Sequence, residues 1–133
     1  MIGLVFASHG DMCVEMVKSA EMIAGIIDHA RTVPLRPGEA PQSYEQRFKE
    51  AVESLQIEEQ ITSVLAVVDL LGGTPYNTAG LYSHLYNVPV ITGLSLPMTL
   101  FCSMERPNYE TAGELAAAAH DAAKDGIRLI DPR

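Results

Sequence analysis

Apolar residues along the chain form short unbroken runs, which alternate with longer segments in which apolar positions recur every three or four residues. The runs predict five strands, at 2–7, 32–35, 63–68, 88–92 and 127–131. The first (IGLVFA) and third (SVLAVV) have almost no polar position, which is typical of parallel strands buried on both faces. Pro34 favours an edge position for the second strand.

The segments between the strands have helical periodicity. Helices are predicted at about 11–31, from Ser43 past Leu55, at about 74–86, at 97–104 and at about 108–124, where Gly126 ends the last. The residues expected to face the core are Met16, Ala20, Ile23 and Ile27 in the first helix and Tyr44, Phe48, Val52 and Leu55 in the second.

Two helix starts have a recognisable sequence signal. Ser43 with Gln46 three residues later has the spacing of a capping box. Thr74 followed by Pro75 reads as a cap with proline at the first helical position. The alternation of strands and helices predicts an α/β fold: a doubly wound, mostly parallel sheet of order 2-1-3-4 with helices on both faces.

Polar residues follow the first and third strands at the point where each ends. His9 comes after the first strand and Asp69 directly after the third. In a doubly wound sheet these strands are neighbours, and a crevice opens at their carboxyl ends. We therefore expect His9 and Asp69 to face each other, with the carboxylate fixing one ring nitrogen and leaving the other free as a nucleophile. Gly10 lets the chain turn tightly beneath the ring.

The segment after Asp69 predicts an anion site. Gly72, Gly73 and Thr74 lead into a helix amino terminus, where unpaired N–H groups and the Thr74 hydroxyl can hold a phosphoryl group without a basic side chain. A nucleophile, an orienting carboxylate and a phosphate cradle together indicate transfer of a phosphoryl group onto and off His9.

Composition and charge exclude several classes of function. The 133 residues are 47% hydrophobic and 20% charged, which predicts a single domain spanning 1–133. A net charge of −8 argues against nucleic acid or an anionic membrane as a partner. The apolar runs are too short to span a bilayer, no signal peptide is visible, and two distant cysteines suit a reducing compartment, so a cytoplasmic location is expected.

Four motifs together resemble the enzyme IIA component of the mannose-type sugar phosphotransferase system (PTS). They are SHG at 8–10, PGE at 37–39, VVDLLGGTPYNTA at 67–79 and GLSLPM at 93–98, in the family's order and spacing across nearly the whole chain. GGTPYN after a strand-ending aspartate is the specific one. Family members often have tryptophan after the SHG glycine and before the two glycines, where this chain has Asp11 and Leu71.

The resemblance implies a phosphohistidine relay in the phosphoenolpyruvate-dependent sugar PTS. His9 would accept a phosphoryl group from the phosphocarrier HPr on its outer ring nitrogen, while Asp69 holds the inner one and Thr74 lies in the phosphate-binding turn. An enzyme IIB component would receive the group, and the membrane would be reached only through the IIC/IID permease. The resemblance also implies a homodimer, with the 127–131 strand exchanged between subunits. The sugar itself is not readable from this chain.

Of three alternatives at the level of sequence, one is disfavoured and two remain open. A histidine phosphatase needs an arginine before the histidine, where this chain has Ser8. The phosphotransfer subunit of dihydroxyacetone kinase and a module that reports phosphorylation state both stay open. No cofactor motif is present, and His9, Asp11 and Asp69 lack a fourth metal ligand, so neither cofactor nor metal is expected. His29, His84 and His120 are expected on helices without a role.

Overall fold

The computed structural model describes all of residues 1–133 and confirms the predicted α/β fold. Four parallel strands form one sheet of order β2-β1-β3-β4. The strands are β1 (Ile2–His9), β2 (Ala30–Leu35), β3 (Ser63–Val68) and β4 (Val90–Ile91). The helices are α1 (Met12–Ala24), α2 (Pro41–Glu53), α3 (Gly73–Tyr86), α4 (Leu96–Glu105) and α5 (Ala112–Asp125). A π-helical turn, Ser54–Glu58, follows α2, and a 3-10 turn, Arg106–Asn108, follows α4.

Helices cover both faces of the sheet, as the unbroken apolar runs predict. Odd-numbered β1 residues such as Val5 and Ala7 pack on one face with α2 and α3. Even-numbered residues such as Leu4 and Phe6 pack on the other with α1, α4 and α5. Strand side chains alternate between faces, so β1 can be buried throughout only as a central strand. Its last residue, His9, is the one that reaches solvent.

Helix α1 is shorter than its apolar periodicity predicts. It ends at Ala24 because Gly25 adopts a φ of 81°, a left-handed value that stops the helix. Ala20 is buried as expected, but Ile23 is 63% exposed and Ile27 is only partly buried. Ile27 lies beyond the end of the helix. Ile23 is in its last turn, and the expected core role of Ile23 is wrong.

The predicted capping box of α2 is also wrong. The helix begins at Pro41, whose fixed φ suits a first turn, and no side chain caps it. Ser43 lies inside the helix, where its hydroxyl donates to Glu39 Oε2 at 2.7 Å. The predicted buried stripe is confirmed, since Tyr44, Phe48, Val52 and Leu55 are each 2% exposed or less.

The carboxyl-terminal segment contains no strand, contrary to the sequence-based expectation for 127–131. Ile127, Leu129 and Ile130 are instead 82%, 90% and 84% exposed. A β-strand needs a neighbour for its backbone hydrogen bonds, and within one chain this segment has none. Helix α5 also starts later than predicted, because the 3-10 turn precedes it and Thr111 caps it. No helix is both long and apolar enough to cross a membrane.

Candidate phosphoryl-transfer site

His9 and Asp69 meet at the carboxyl edge of the sheet, in the crevice between β1 and β3. Ala7 pairs with Val68 in the strand register, and the Asp69 N–H donates to the Ala7 carbonyl at 3.1 Å. Two neighbouring strand ends therefore place the two side chains together. The His9 Nδ1 to Asp69 Oδ2 distance is 2.9 Å. The predicted proximity, sixty positions apart in the sequence, is present in the structure.

The Asp69 carboxylate holds His9 at two points. Oδ2 accepts the backbone N–H of His9 at 2.9 Å as well as contacting Nδ1. Because an ionised carboxylate accepts hydrogen bonds and donates none, the contact assigns the ring proton to Nδ1 and leaves a lone pair on Nε2. The His9 side chain is 46% exposed and that of Asp69 only 10%. The imidazole, which carries the free lone pair, is thus accessible to solvent, while the carboxylate that holds it is largely buried.

The second oxygen of Asp69, Oδ1, is buried and has no hydrogen-bond partner within the chain. An incompletely solvated carboxylate interacts strongly with a positive charge beside it. A positive charge that developed on the imidazole, if Nε2 acted as a nucleophile, would lie beside this carboxylate. Asp69 is placed to stabilise that charge as well as the tautomer.

Gly73 lies directly against the His9 ring, on the side that carries Cε1 and Nε2. A Cβ built on Gly73 would lie 2.8 Å from both Cε1 and Nε2 of His9, so any larger residue would displace the ring. Gly73 is also the first residue of α3 and has a φ of 82°. The free nitrogen of the imidazole is therefore next to a helix amino terminus, where unpaired N–H groups favour an anion.

The rest of the predicted cradle follows from the same turn. Gly72 has a φ of 132° and precedes the first residue of α3, which no side chain caps. The expected cap role of Thr74 is wrong, because Thr74 is the second residue of the helix. Glycine replaces the cap because the chain must turn at a positive φ where it approaches the ring.

Gly10 makes the turn after His9, as predicted. Its φ is 62°, and its N–H donates to the Leu35 carbonyl at 2.8 Å. Leu35 is the register partner of His9, so β2 supports the turn from the other side. Ser8 also holds this turn, because its hydroxyl donates to the Gly10 carbonyl at 2.8 Å. It was not among the predicted residues; the available signal was a polar residue directly after the apolar run of β1.

The two positions at which family members often have tryptophan are both exposed. Asp11 precedes α1 and its side chain makes no capping hydrogen bond. Leu71 is 72% exposed. No group of three or more His, Cys, Asp or Glu side chains is arranged to hold a metal ion.

The remaining histidines are outside the site. His84 is in α3 and His120 in α5, as expected for helical positions. His29 is not helical: it lies between α1 and β2 with a φ of 48°, and its Nδ1 contacts Glu59.

Comparison with known proteins agrees with the fold and the motifs. The EIIA-man family model, described as PTS system fructose IIA component, matches residues 3–120. The fructose-specific EIIA component of Bacillus subtilis (strain 168) is 31% identical over 101 residues, which are 75% of this chain and 67% of that protein.

The mannose-specific EIIAB component of Escherichia coli (strain K12) is 26% identical over 130 residues. These cover 97% of this chain but only 39% of that longer protein. Among solved structures, the mannose/sorbose-specific IIA subunit of Enterococcus faecalis superposes with a TM-score of 0.83 at 26% identity, covering 98% of this chain and 96% of that one.

Proposed function

The chain belongs to the EIIA-man family of PTS IIA components, and on that premise we propose that it relays a phosphoryl group through His9. The observation that carries the proposal is the His9 Nδ1 to Asp69 Oδ2 contact of 2.9 Å, with Nε2 facing the α3 amino terminus. The donor is HPr and the acceptor an enzyme IIB component, as the family resemblance implies. The family favours the sugar system over the dihydroxyacetone kinase alternative.

The transfer proceeds by displacement at phosphorus. The Nε2 lone pair of His9 forms the new N–P bond, while the bond from phosphorus to the donor's nitrogen breaks and that nitrogen keeps the electron pair. The Nδ1 proton stays in place, so the ring carries a positive charge that Asp69 stabilises. The same steps in reverse deliver the group to IIB. No proton has to move within this chain.

The α3 amino terminus stabilises the transferring group. Phosphoryl transfer depends mainly on positioning and on stabilising charge on the three equatorial oxygens. The turn at Gly72, Gly73 and Thr74 supplies backbone N–H groups, and the Thr74 hydroxyl adds a donor. These groups suit a phosphoryl bound reversibly, since no arginine or lysine clamps it.

The sugar specificity of the system lies outside this site. The relatives named above are called fructose-specific, mannose-specific and mannose/sorbose-specific. This crevice holds phosphate rather than sugar, so selectivity belongs to the membrane components that the resemblance implies. A regulatory use of the same phosphohistidine would need no change in the site.

We also propose that the chain forms a homodimer through its carboxyl-terminal segment. Beside the unpaired edge of β4 lies a groove of about 470 Å³, with Val90, Ile91 and Thr92 on one side and Tyr76 and His120 among its walls. An unpaired strand edge accepts an extended peptide. The exposed apolar segment 127–131 of a second copy has the composition of such a strand. This supports the exchange implied by the family.

The direct test is incubation with phosphoenolpyruvate, enzyme I and HPr, followed by intact-mass measurement. We expect one acid-labile phosphate per chain, absent from His9→Ala. His84→Ala is the matched control, because His84 is also exposed but lies near the carboxyl end of α3, away from His9, and it should label fully. Labelling of His9→Ala would place the acceptor elsewhere and refute the proposal.

A further inference from the structure

Ser8 is a fully buried polar residue on the face of β1 that otherwise carries Ile2, Leu4 and Phe6. A buried hydroxyl is costly unless its hydrogen bonds are made. The Ser8 hydroxyl acts both as a hydrogen-bond donor and as an acceptor. Its Oγ donates to the Gly10 carbonyl at 2.8 Å and accepts the Cys13 N–H at 2.8 Å. The serine therefore exchanges apolar packing for two specific contacts.

These two contacts join the strand, the turn and the helix around His9. Gly10 is fixed at both ends, since its N–H reaches the Leu35 carbonyl and its carbonyl reaches Ser8. Cys13 is the second residue of α1, where an N–H has no partner within the helix. One hydroxyl thus ties the turn that follows His9 to the first turn of the next helix.

The usual capping position of α1 does not perform this task. Asp11 precedes the helix, but its side chain makes no capping hydrogen bond. The acceptor comes instead from Ser8, on the other side of His9 in the sequence. A local cap at Asp11 would have stabilised α1 equally well without fixing His9.

We propose that Ser8 is a positioning residue for phosphoryl transfer: its hydroxyl fixes the Gly10 turn and so holds Nε2 of His9 against the α3 amino terminus. The inference rests on the proposed function of His9. Its physical basis is that a misplacement of about 1 Å can cost on the order of 100-fold in rate. There is no room for a side chain between Gly73 and the His9 ring. Small rotations of the ring therefore change the distance from Nε2 to a phosphoryl group at the α3 amino terminus directly.

The experiment compares Ser8→Ala with Thr111→Ala. Thr111 Oγ1 accepts the Glu114 N–H at 3.2 Å and caps α5, so its loss also removes one helix-capping bond. Thr111 is near the start of β3, since the adjacent Ala112 N–H donates to Ser63 Oγ. This is the opposite end of the sheet from His9. Both variants are expected to lower Tm by a few degrees.

Only Ser8→Ala is expected to change transfer. At saturating HPr and at a temperature where both variants are folded, its phosphorylation rate should fall at least about tenfold, with little change in half-saturation. Ser8→Thr, which retains the hydroxyl, should restore the rate. Equal rates for Ser8→Ala and Thr111→Ala would overturn the proposal, as would a folded Ser8→Thr as slow as Ser8→Ala.

A second measurement does not depend on phosphoryl transfer. The ring ¹⁵N shifts of His9 should report one tautomer, with the proton on Nδ1, in the unmodified chain and in Thr111→Ala. In Ser8→Ala they should move toward the average of the two tautomers. If Ser8→Ala does not fold, Ser8→Cys serves, since sulfur is a weaker partner of similar shape. Unchanged shifts reject the role of Ser8, whereas failure of the unmodified chain to take phosphate rejects the relay instead.

Discussion

At the scale of single residues, the proposed phosphoryl transfer should depend on how closely Gly73 lies against the His9 ring. Gly73→Ala should place a methyl 2.8 Å from Nε2 and reduce phosphorylation at least about tenfold. It should also cost about 1–2 kcal/mol of stability, because L residues are disfavoured at a φ of 82°. Stopped assays of phosphate incorporation and thermal unfolding measure the two effects.

Gly25→Ala is the control for Gly73→Ala. Gly25 also has a positive φ, 81°, but a Cβ there meets no atom within 4 Å. It should lose at least comparable stability and transfer at the unmodified rate. If both variants transfer equally, the close approach of Gly73 has no part in the reaction.

A second test at the residue scale removes the charge of the Asp69 carboxylate. Asp69→Asn keeps the size and one acceptor but removes the charge and the assignment of the proton to Nδ1. We expect phosphorylation to slow about a hundredfold or more, as when a catalytic histidine loses its orienting carboxylate. Thermal unfolding checks that the domain stays folded. A normal rate in the folded variant would leave Asp69 a purely structural role.

Some residues of the candidate site could be predicted from the sequence and others could not. His9 and Asp69 were predictable because each follows an apolar run that could only be a central strand. The contact of Gly73 with the ring and the two bonds of Ser8 were not, because they depend on turn conformations that no periodicity encodes. Thr74 was misplaced for the same reason: Gly72 takes a positive φ and is the cap, two residues earlier than predicted.

At the scale of elements, a polar cluster fastens the end of α2 to β2. Glu59 pairs with the Arg31 guanidinium and with His29, and Arg31 Nε also donates to Ser54 Oγ at 2.8 Å. The hydrogen bond from Arg31, followed by that from His29, holds the pKa of Glu59 below its ordinary value of 4.5. The cluster is at the opposite end of the sheet from His9.

The cluster predicts a specific pH dependence of stability. A carboxylate with a lowered pKa stabilises the fold above its unfolded-state pKa, and this stabilisation is lost as pH falls through the folded-state value. Glu59→Gln should therefore lower Tm at pH 7, and its difference from the unmodified chain should shrink as pH drops below about 4.5. Thermal melts across pH measure this.

Glu58→Gln controls for the change in net charge, because Glu58 is the exposed neighbour of Glu59. Its Tm should follow that of the unmodified chain at every pH. A Tm difference for Glu59→Gln that is constant with pH would contradict the ionic origin of the stabilisation.

The apolar periodicity of the sequence predicts which face of a helix is buried, but it does not predict where the helix begins or ends. The buried stripe of α2 was predictable because Tyr44, Phe48 and Val52 repeat at helical spacing. The end of α1 was not, since its apolar period runs past Gly25 and only backbone conformation stops the helix. The start of α2 was hidden because Pro41 begins it without a side-chain cap.

At the scale of the whole molecule, the order of the four strands could be predicted from the connection rules for parallel sheets. The fate of the predicted fifth strand could not. The segment 127–131 forms no strand within one chain, and in the proposed dimer a second copy supplies its partner strand. Leu129→Lys should raise the dimer dissociation constant at least about tenfold, because burying a leucine contributes roughly 2 kcal/mol. Sedimentation equilibrium measures it.

Ile57→Lys is the matched control for Leu129→Lys. Ile57 is 74% exposed in the turn after α2, away from β4, and the change in charge is identical. It should leave the dissociation constant unchanged. A Leu129→Lys protein that associates as tightly as Ile57→Lys would remove the carboxyl-terminal segment from the interface.

The central claim is that the contact with Asp69 leaves only one nitrogen of His9 free to carry phosphorus. Long-range ¹H–¹⁵N correlation of the protein phosphorylated with ¹⁵N-labelled histidine identifies that nitrogen directly. We predict phosphorus on Nε2 of His9, with Nδ1 still protonated toward Asp69. Phosphorus on Nδ1 of His9, or on any other residue, would contradict the account.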